Sequence, residues 1–221
     1  GNVKKNIGYN REGRGFLLDF SPEINYHKHY INRYAFLFNE YIGNKYVYLP
    51  ELSLRYTGQK TFQFDNSHKT IALYLGGENK EFRKYPDEYA VQLLRLLNRQ
   101  GYNLLLIGDE NDNIKHTQYA EEARIDHLIN LTARTTIEGF INTIANVDLI
   151  ITIDSSALHI AAAVKTPFIA LMGLSTSPTS TILPKVPLGR ILKIENNLIR
   201  EEDYIRNITP DLILKTISEL I

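Results

Sequence analysis

Short apolar runs alternate with amphipathic segments along most of this chain. Five runs are predicted to be strands, because they are short and mostly apolar: 70–75, 103–107, 149–153, 168–172 and the weaker 191–194. Five segments with apolar residues near helical spacing are predicted to be helices: 86–99, 114–124, 137–147, 155–164 and 209–221. Apolar strands that alternate with helices are typical of a parallel sheet covered on both faces. The pattern therefore predicts an α/β fold with a Rossmann-like, doubly wound sheet.

The first 64 residues lack this regularity and are rich in Tyr, Asn and basic side chains. Within them we predict a short strand at 16–18, a helix at 27–41 and extended chain at 45–55. No self-contained core is evident in this part. We therefore expect two regions, a partial N-terminal domain at 1–64 and the sheet domain at 65–221.

Composition narrows the classes of function. Lys plus Arg and Asp plus Glu each number 25, so the formal net charge is zero and nucleic acid is not expected as a partner. The absence of cysteine excludes disulfides and thiolate chemistry. The chain has no apolar run of about 18 residues and no apolar leader, so we expect no membrane span, no signal peptide and a cytoplasmic location. Because it also lacks an initiator Met, we expect an excised chain.

The strongest candidate site follows the predicted strand at 149–153. In parallel sheets of this kind, ligands bind beyond the carboxyl ends of the strands. Here the strand leads into Asp154-Ser155-Ser156 at the start of a helix, with His159 one turn later. The N-terminus of a helix favours phosphate, and an aspartate can accept hydrogen bonds from sugar hydroxyls. The alternative is that Asp154 and Ser155 only cap the helix and His159 packs under a loop.

Three further groups lie at predicted strand or helix ends. Arg83 and Lys84 can neutralise a diphosphate, or they can form a solvated basic pair before a helix. Glu110, in Gly108-Asp109-Glu110, can bind ribose hydroxyls, or it can belong to a solvated acidic loop. The segment 135–138 fits a capping box with Thr135 as the cap, close to where a base could stack.

Taken in order, these segments resemble glycosyltransferase family nine, the heptosyltransferases that build lipopolysaccharide core. The similarity spans roughly residues 70–185, and the matching stretches are 83–86, 108–110, 135–138, 154–163 and 172–175. Residues 7–15 and the helix containing Arg33 also look like the exit of the family's N-terminal domain. The resemblance implies the C-terminal half of a GT-B fold, preceded by a partial N-terminal domain.

The resemblance also implies a role for each matched residue. The implied donor-binding residues are Arg83, Glu110, Thr135, Asp154, Ser155, Ser156, His159 and Gly173. By position, Arg83 would contact the donor near its diphosphate, Glu110 the ribose, and Thr135 the adenine. Asp154 would hold the transferred sugar, and the helix start with His159 would hold the diphosphate. The implied reaction is transfer from ADP-heptose to a lipid-linked saccharide of the lipopolysaccharide core, with inversion and without a metal or other cofactor.

Nothing before residue 65 matches the Gly-rich loop and aspartate base with which the family's N-terminal domain begins, so we name no catalytic base. Two other hypotheses stay open: a nucleotide-sugar-binding module that does no transfer, and another doubly wound protein such as an epimerase or interaction domain. The chain has no P-loop, no G-x-G-x-x-G and no metal-ligand spacing. Lys4, Lys5, Arg11 and Arg14 fit either a solvated loop or peripheral contact with the inner membrane surface.

Overall fold

The computed structural model describes residues 4–26, 28–43, 52–64, 67–76, 83–173, 182–184, 186–194, 200 and 203–221, without the side chain of residue 31. The chain divides into two compact units. One comprises Gly1–Glu51 with Ser177–Leu183, and the other comprises Leu52–Thr176 with Pro184–Ile221. Among the described residues, no helix is long and apolar enough to cross a membrane.

The second unit is built on a sheet of six parallel strands in the order β3-β2-β1-β4-β5-β6. The strands are β1 (Thr70–Tyr74), β2 (Asn103–Leu106), β3 (Ile129–Asn130), β4 (Leu149–Ile153), β5 (Phe168–Met172) and β6 (Gly189–Lys193). The order is that of the doubly wound Rossmann sheet, whose direction of winding reverses between β1 and β4. The predicted fold class is confirmed.

Burial explains why these runs form strands. Every residue of β1, β2, β4 and β5 is buried, as expected for strands covered on both faces. β3 and β6 are the edge strands and are only partly buried. β3 was not predicted, because two half-buried residues leave no apolar run. β6 begins at Gly189, two residues before the predicted start.

Among its described residues, the same unit has five α-helices: α2 (Asp87–Arg99), α3 (Asn113–Ala123), α4 (Ile137–Ala145), α5 (Ser156–Val164) and α6 (Pro210–Ile217). α2 packs against α3 and α6, while α4 packs against α5. α2 buries one apolar stripe that includes Leu93, Leu94 and Leu97. Thr209 caps α6 as predicted, since its hydroxyl accepts a hydrogen bond from the Leu212 N–H at 3.3 Å.

The first unit contains α1 (Tyr30–Tyr41), which confirms most of the helix predicted at 27–41; residue 27 lies outside the described residues. The strand predicted at 16–18 is wrong. Arg14–Leu17 form a 3-10 helix that starts after Gly13, whose φ of 73° is readily adopted by glycine. Phe16 is 84% exposed, so its apolar character does not reflect burial in a strand.

The boundary between the units falls after Glu51, whereas the sequence pattern placed it after residue 64. The sequence pattern misses this boundary because residues 52–64 are held to the second unit by polar contacts, which produce no periodic apolar pattern in the sequence. The Gly58 N–H donates a hydrogen bond to the Asn142 side-chain oxygen at 3.1 Å, and the Asn142 side-chain nitrogen donates one to the Thr57 hydroxyl at 2.8 Å. The Thr61 and Thr143 hydroxyls lie 2.6 Å apart. Residues 52–64 therefore cross α4 as a strap. Of the stretch predicted to be extended at 45–55, residues 45–51 lie outside the described residues.

Candidate functional site

A cleft of about 540 Å³ lies at the carboxyl edge of the sheet. Its walls come from the end of β1, the loops after β2 and β3, and the first turns of α4 and α5. The lining residues are Tyr74, Gly108, Asp109, Glu110, Ala133, Thr135, Thr136, Ile137, Phe140, Ser156 and Ile160. The cleft thus occupies the place where the sheet reverses its winding, which is where this fold binds ligands. Its volume is within the range of small-molecule sites.

One part of the cleft is apolar. The rings of Tyr74 and Phe140 meet edge to face, with centroids 6.3 Å apart. Ile137, in the first turn of α4, is 83% exposed although it lines the cleft. An exposed isoleucine beside an aromatic pair offers a surface on which a flat apolar group can stack. The sequence does not identify these side chains as part of a site, because an apolar residue at a strand end or helix start looks the same as a residue of the hydrophobic core.

The polar part of the cleft holds three of the predicted site residues, Glu110, Thr135 and Ser156. Asp109 begins a short 3-10 helix, Glu110–Asp112, and its carboxylate accepts a hydrogen bond from the Asn111 N–H at 2.8 Å. This cap fixes the backbone on both sides of Glu110, which is exposed. The cleft therefore presents the side chains of Glu110, Thr135 and Ser156 next to an apolar wall.

Asp154, Ser155, His159 and Gly173 do not line this cleft, although the topology brings them to the same edge of the sheet. β4 pairs with β1 and with β5, so Asp154 and Gly173 directly follow two neighbouring strands that end together. His159 is exposed and precedes Ile160, which does line the cleft. No loop among the described residues buries it.

The start of α5 does not show the side-chain cap that the alternative interpretation of Ser155 predicts. Ser155 occupies the N-cap position, but its side chain makes no capping hydrogen bond. Its hydroxyl instead lies 2.9 Å from the hydroxyl of Thr152, near the end of β4. The first turn of α5 therefore has no cap from Ser155.

The sequence profile of glycosyltransferase family 9 (heptosyltransferase) matches residues 2–202. The chain belongs to glycosyltransferase family 9. Lipooligosaccharide heptosyltransferase 2 of Haemophilus influenzae is 31% identical over 158 residues, which make up 66% of this chain and 45% of that protein. The chain spans about half the length of the curated relatives it matches.

Two solved structures show the same fold. The chain resembles E. coli ADP-heptose lps heptosyltransferase II with a TM-score of 0.83 and 21% identity, covering 99% of this chain and 70% of that one. It resembles E. coli heptosyltransferase WaaC with ADP-2-deoxy-2-fluoro heptose with a TM-score of 0.63 and 15% identity, covering 92% of this chain and 60% of that one. At these identities the likeness concerns the fold.

In this member of family 9, Arg83 is half-buried just before α2 and does not line the cleft. Phe82, before it, lies outside the described residues, as do Gly77, Leu174 and Ser175. Tyr85 is 1% exposed. Its hydroxyl donates a hydrogen bond to the Ile208 carbonyl at 2.9 Å. Tyr85 therefore anchors the Arg83 segment to the chain that leads into α6.

The predicted capping box is wrong: the N-cap lies one residue later than predicted, and the third residue after it is Gly139, which has no side chain to complete a box. Thr136, not Thr135, is the N-cap of α4, and its hydroxyl accepts a hydrogen bond from the Gly139 N–H at 3.1 Å. Both threonines fit the N-cap pattern, but only the second has the helix directly after it. Thr135 keeps its place in the cleft, where its hydroxyl is not used by the cap.

Beneath the loop that carries Glu110, His116 of α3 is fully buried. Burial lowers the pKa of His116 to about 4, although the charge of Asp109 acts in the opposite direction. The folded protein therefore binds fewer protons than the unfolded chain between pH 6.5 and about 4. Over that range, stability must fall as the pH falls.

We predict that lowering the pH from 7 to 5 removes roughly 2 kcal/mol of stability through His116 alone, at 1.36 kcal/mol per unit of pKa shift. Urea unfolding of the parent and of His116→Leu at both pH values measures this contribution, because the leucine cannot titrate. The free energy of unfolding should fall less with pH in the variant. An equal fall in both proteins would show that His116 does not carry the effect.

Proposed function

We propose that this chain forms the donor-binding half of a heptosyltransferase, which transfers a sugar from ADP-heptose to a saccharide of the lipopolysaccharide core. The observation that carries the proposal is the cleft at the sheet's switch point, lined by Glu110, Thr135 and Ser156 beside an apolar wall. Family membership supports the reaction class. The relatives that support the donor and the acceptor are those whose names state a heptosyltransferase or ADP-heptose.

The nucleoside end of the donor would occupy the part of the cleft beside its apolar wall. The adenine would stack against Phe140 and Ile137 near Thr135, since aromatic and apolar surfaces favour flat rings. Glu110 would accept hydrogen bonds from the ribose hydroxyls, as acidic residues do at the corresponding place in dinucleotide folds. A carboxylate is a poor neighbour for phosphate, which supports an orientation with the diphosphate directed away from Glu110, toward α5.

The diphosphate would then lie at the start of α5. Backbone N–H groups and the helix dipole favour an anion there, and Ser155 does not occupy them with a cap. Ser156 lines the cleft, and His159 lies one turn further on the same helix. Arg83 would add positive charge from the segment before α2, and Asp154 with Gly173 would border the transferred sugar at the strand ends.

Chemically, this half would stabilise the departing diphosphate, which is where negative charge develops during transfer. Helix N–H groups and cationic side chains can do this without a metal ion, and we propose a metal-independent reaction with inversion. We assign no general base to the described residues. The base that accepts the proton of the acceptor hydroxyl is therefore not part of this proposal.

The first unit supports an anionic acceptor. A cavity of about 170 Å³ there is lined by Arg11, Arg14, Arg33 and four neighbours. Arg33 is 5% exposed, and its guanidinium donates hydrogen bonds to the Lys28 and Tyr26 carbonyls at 2.9 and 2.6 Å. In the described part of the chain no carboxylate lies within ion-pair distance of it. A buried cation without a carboxylate suits an acidic sugar or a phosphate.

Peripheral contact with the inner membrane remains part of the proposal. Exposed Phe16 and Leu17 beside Arg14 would favour it. Against it, Lys5 pairs with Asp19 at 3.3 Å and Arg14 pairs with Glu12 at 2.7 Å, which reduces the attraction to anionic lipids.

We predict saturable binding of ADP that persists in excess EDTA, measured by titration calorimetry. Glu110→Gln should weaken it about tenfold, because each ribose hydroxyl would lose a charged hydrogen-bond acceptor. Replacing ADP by 2′-deoxy-ADP should weaken binding to the parent protein. It should weaken binding to Glu110→Gln much less, because that variant has already lost the charged partner of the ribose. Glu121→Gln is the matched control, since Glu121 is also exposed but does not line the cleft. Absence of binding by the parent, or equal effects of the two variants, would contradict the proposal.

The alternative of a binding module that does no transfer makes the same prediction for ADP. The two are separated by supplying ADP-heptose and a lipopolysaccharide core acceptor to the full-length protein. Sugar transfer supports the enzyme, whereas binding without transfer supports the module.

A further inference from the structure

Two loops that line the cleft are joined to each other by hydrogen bonds. The first follows β2 and carries Glu110; the second follows β3 and carries Thr135. The Ala133 N–H of the second loop donates a hydrogen bond to the Gly108 carbonyl of the first at 3.1 Å. Ala133 has a φ of 60°, a conformation that non-glycine residues adopt rarely and that the surrounding structure must enforce.

A second connection lies below this backbone contact. Nδ1 of His116 lies 2.7 Å from the Thr132 hydroxyl, and both side chains are fully buried. His116 is in α3, directly behind the loop of Glu110, and Thr132 immediately precedes Ala133. In the described part of the protein, Nε2 of His116 has no hydrogen-bond partner. The ring therefore makes one polar contact, and that contact is with the other loop.

The histidine ring also fits closely under the end of β2. A Cβ added to Gly108 would lie 3.2 Å from Cε1 of His116, so the ring packs directly against the strand end. Thr132 is itself held by its own N–H, which donates to the Asn130 side chain at 3.0 Å. Both partners are thus fixed by their surroundings.

We propose that His116 and Thr132 are positioning residues, whose buried hydrogen bond holds Glu110 and Thr135 at the spacing that donor binding requires. Neither side chain touches the cleft, so both act through the loops. The inference rests on the proposed function for the identity of the donor. A buried polar pair of this kind specifies one arrangement, because breaking it leaves an unsatisfied group.

The test compares Thr132→Val, which removes the hydroxyl at nearly constant volume, with Thr132→Ser, which keeps it. ADP affinity, measured where each variant is folded, should fall about tenfold in Thr132→Val and stay within about threefold of the parent in Thr132→Ser. If Thr132→Val does not fold, the ADP affinity of Thr132→Ala is measured instead, and the same loss is expected. Thr166→Val is the control, because that buried hydroxyl also makes a 2.8 Å hydrogen bond, to the Ile144 carbonyl, away from the cleft.

Amide hydrogen exchange of the ligand-free proteins supplies a readout that needs no donor. Thr132→Val should lose protection at 109–112 and 133–136, whereas Thr166→Val should not. Unchanged exchange and affinity in Thr132→Val, or a Thr132→Ser as weak as the valine variant, would overturn the inference. If the parent does not bind ADP, the proposed donor is wrong. Hydrogen exchange alone then decides whether the His116–Thr132 hydrogen bond holds the two loops.

Discussion

Tyr85→Ala should lower the free energy of unfolding by about 3–5 kcal/mol, the range for removing a large buried aromatic side chain. Tyr85 is among the largest fully buried side chains of the protein. Its ring packs near Tyr89, with centroids 6.0 Å apart, and its N–H donates to the Leu75 carbonyl at 3.4 Å. Truncation would leave a cavity between the end of β1, the start of α2 and the approach to α6.

Tyr85→Phe separates packing from hydrogen bonding. The phenyl ring fills the same space but leaves the Ile208 carbonyl without the donor at 2.9 Å, so the expected loss is about 1–3 kcal/mol. Tyr56→Ala is the matched control, because Tyr56 is 46% exposed and its removal should cost less than about 1 kcal/mol. Urea unfolding curves measure all three. Equal losses in Tyr85→Ala and Tyr56→Ala would contradict the anchoring role.

The strands and helices around the cleft could be predicted because their apolar residues follow a simple period. β1, β2, β4 and β5 are buried on both faces, and α2 buries a single stripe. β3 could not be predicted, since it consists of two half-buried residues that pair only at the edge of the sheet. The strap at 52–64 was also missed, because it is held by hydroxyl and amide contacts rather than by apolar packing.

The polar residues of the cleft were easier to predict than its apolar wall. Chemistry at a strand end is visible in the sequence, so Glu110 and Ser156 could be placed at one edge from topology alone. Phe140 and Ile160 look like core residues of their helices, and only the packing of α4 beside α5 turns them toward the cleft. The structure shows which of the predicted site residues line the cleft, and the contribution of all eight to donor binding stays a prediction: Arg83, Glu110, Thr135, Asp154, Ser155, Ser156, His159 and Gly173.

Gly76→Ala should destabilise the protein by about 1–3 kcal/mol and weaken ADP binding, because the new methyl group has no room. A Cβ at Gly76 would lie 1.7 Å from Oδ1 of Asp112, and a Cβ at Gly108 would lie 2.8 Å from Oδ2. The Asp112 carboxylate is therefore wedged between the ends of β1 and β2. It also accepts a hydrogen bond from the Asp109 N–H at 3.3 Å, which fixes the loop of Glu110. Displacing it disturbs the fold and the cleft together.

A double-mutant cycle tests this cause directly. In an Asp112→Ala background the obstructing carboxylate is gone, so Gly76→Ala should cost at least about 1 kcal/mol less than in the parent. Gly139→Ala is the control, since a Cβ there meets its nearest neighbour at an ordinary 3.4 Å and alanine favours the helix. Unfolding in urea and ADP titration measure the cycle. If the two substitutions prove additive, the collision with Asp112 is not the reason that residue 76 is glycine.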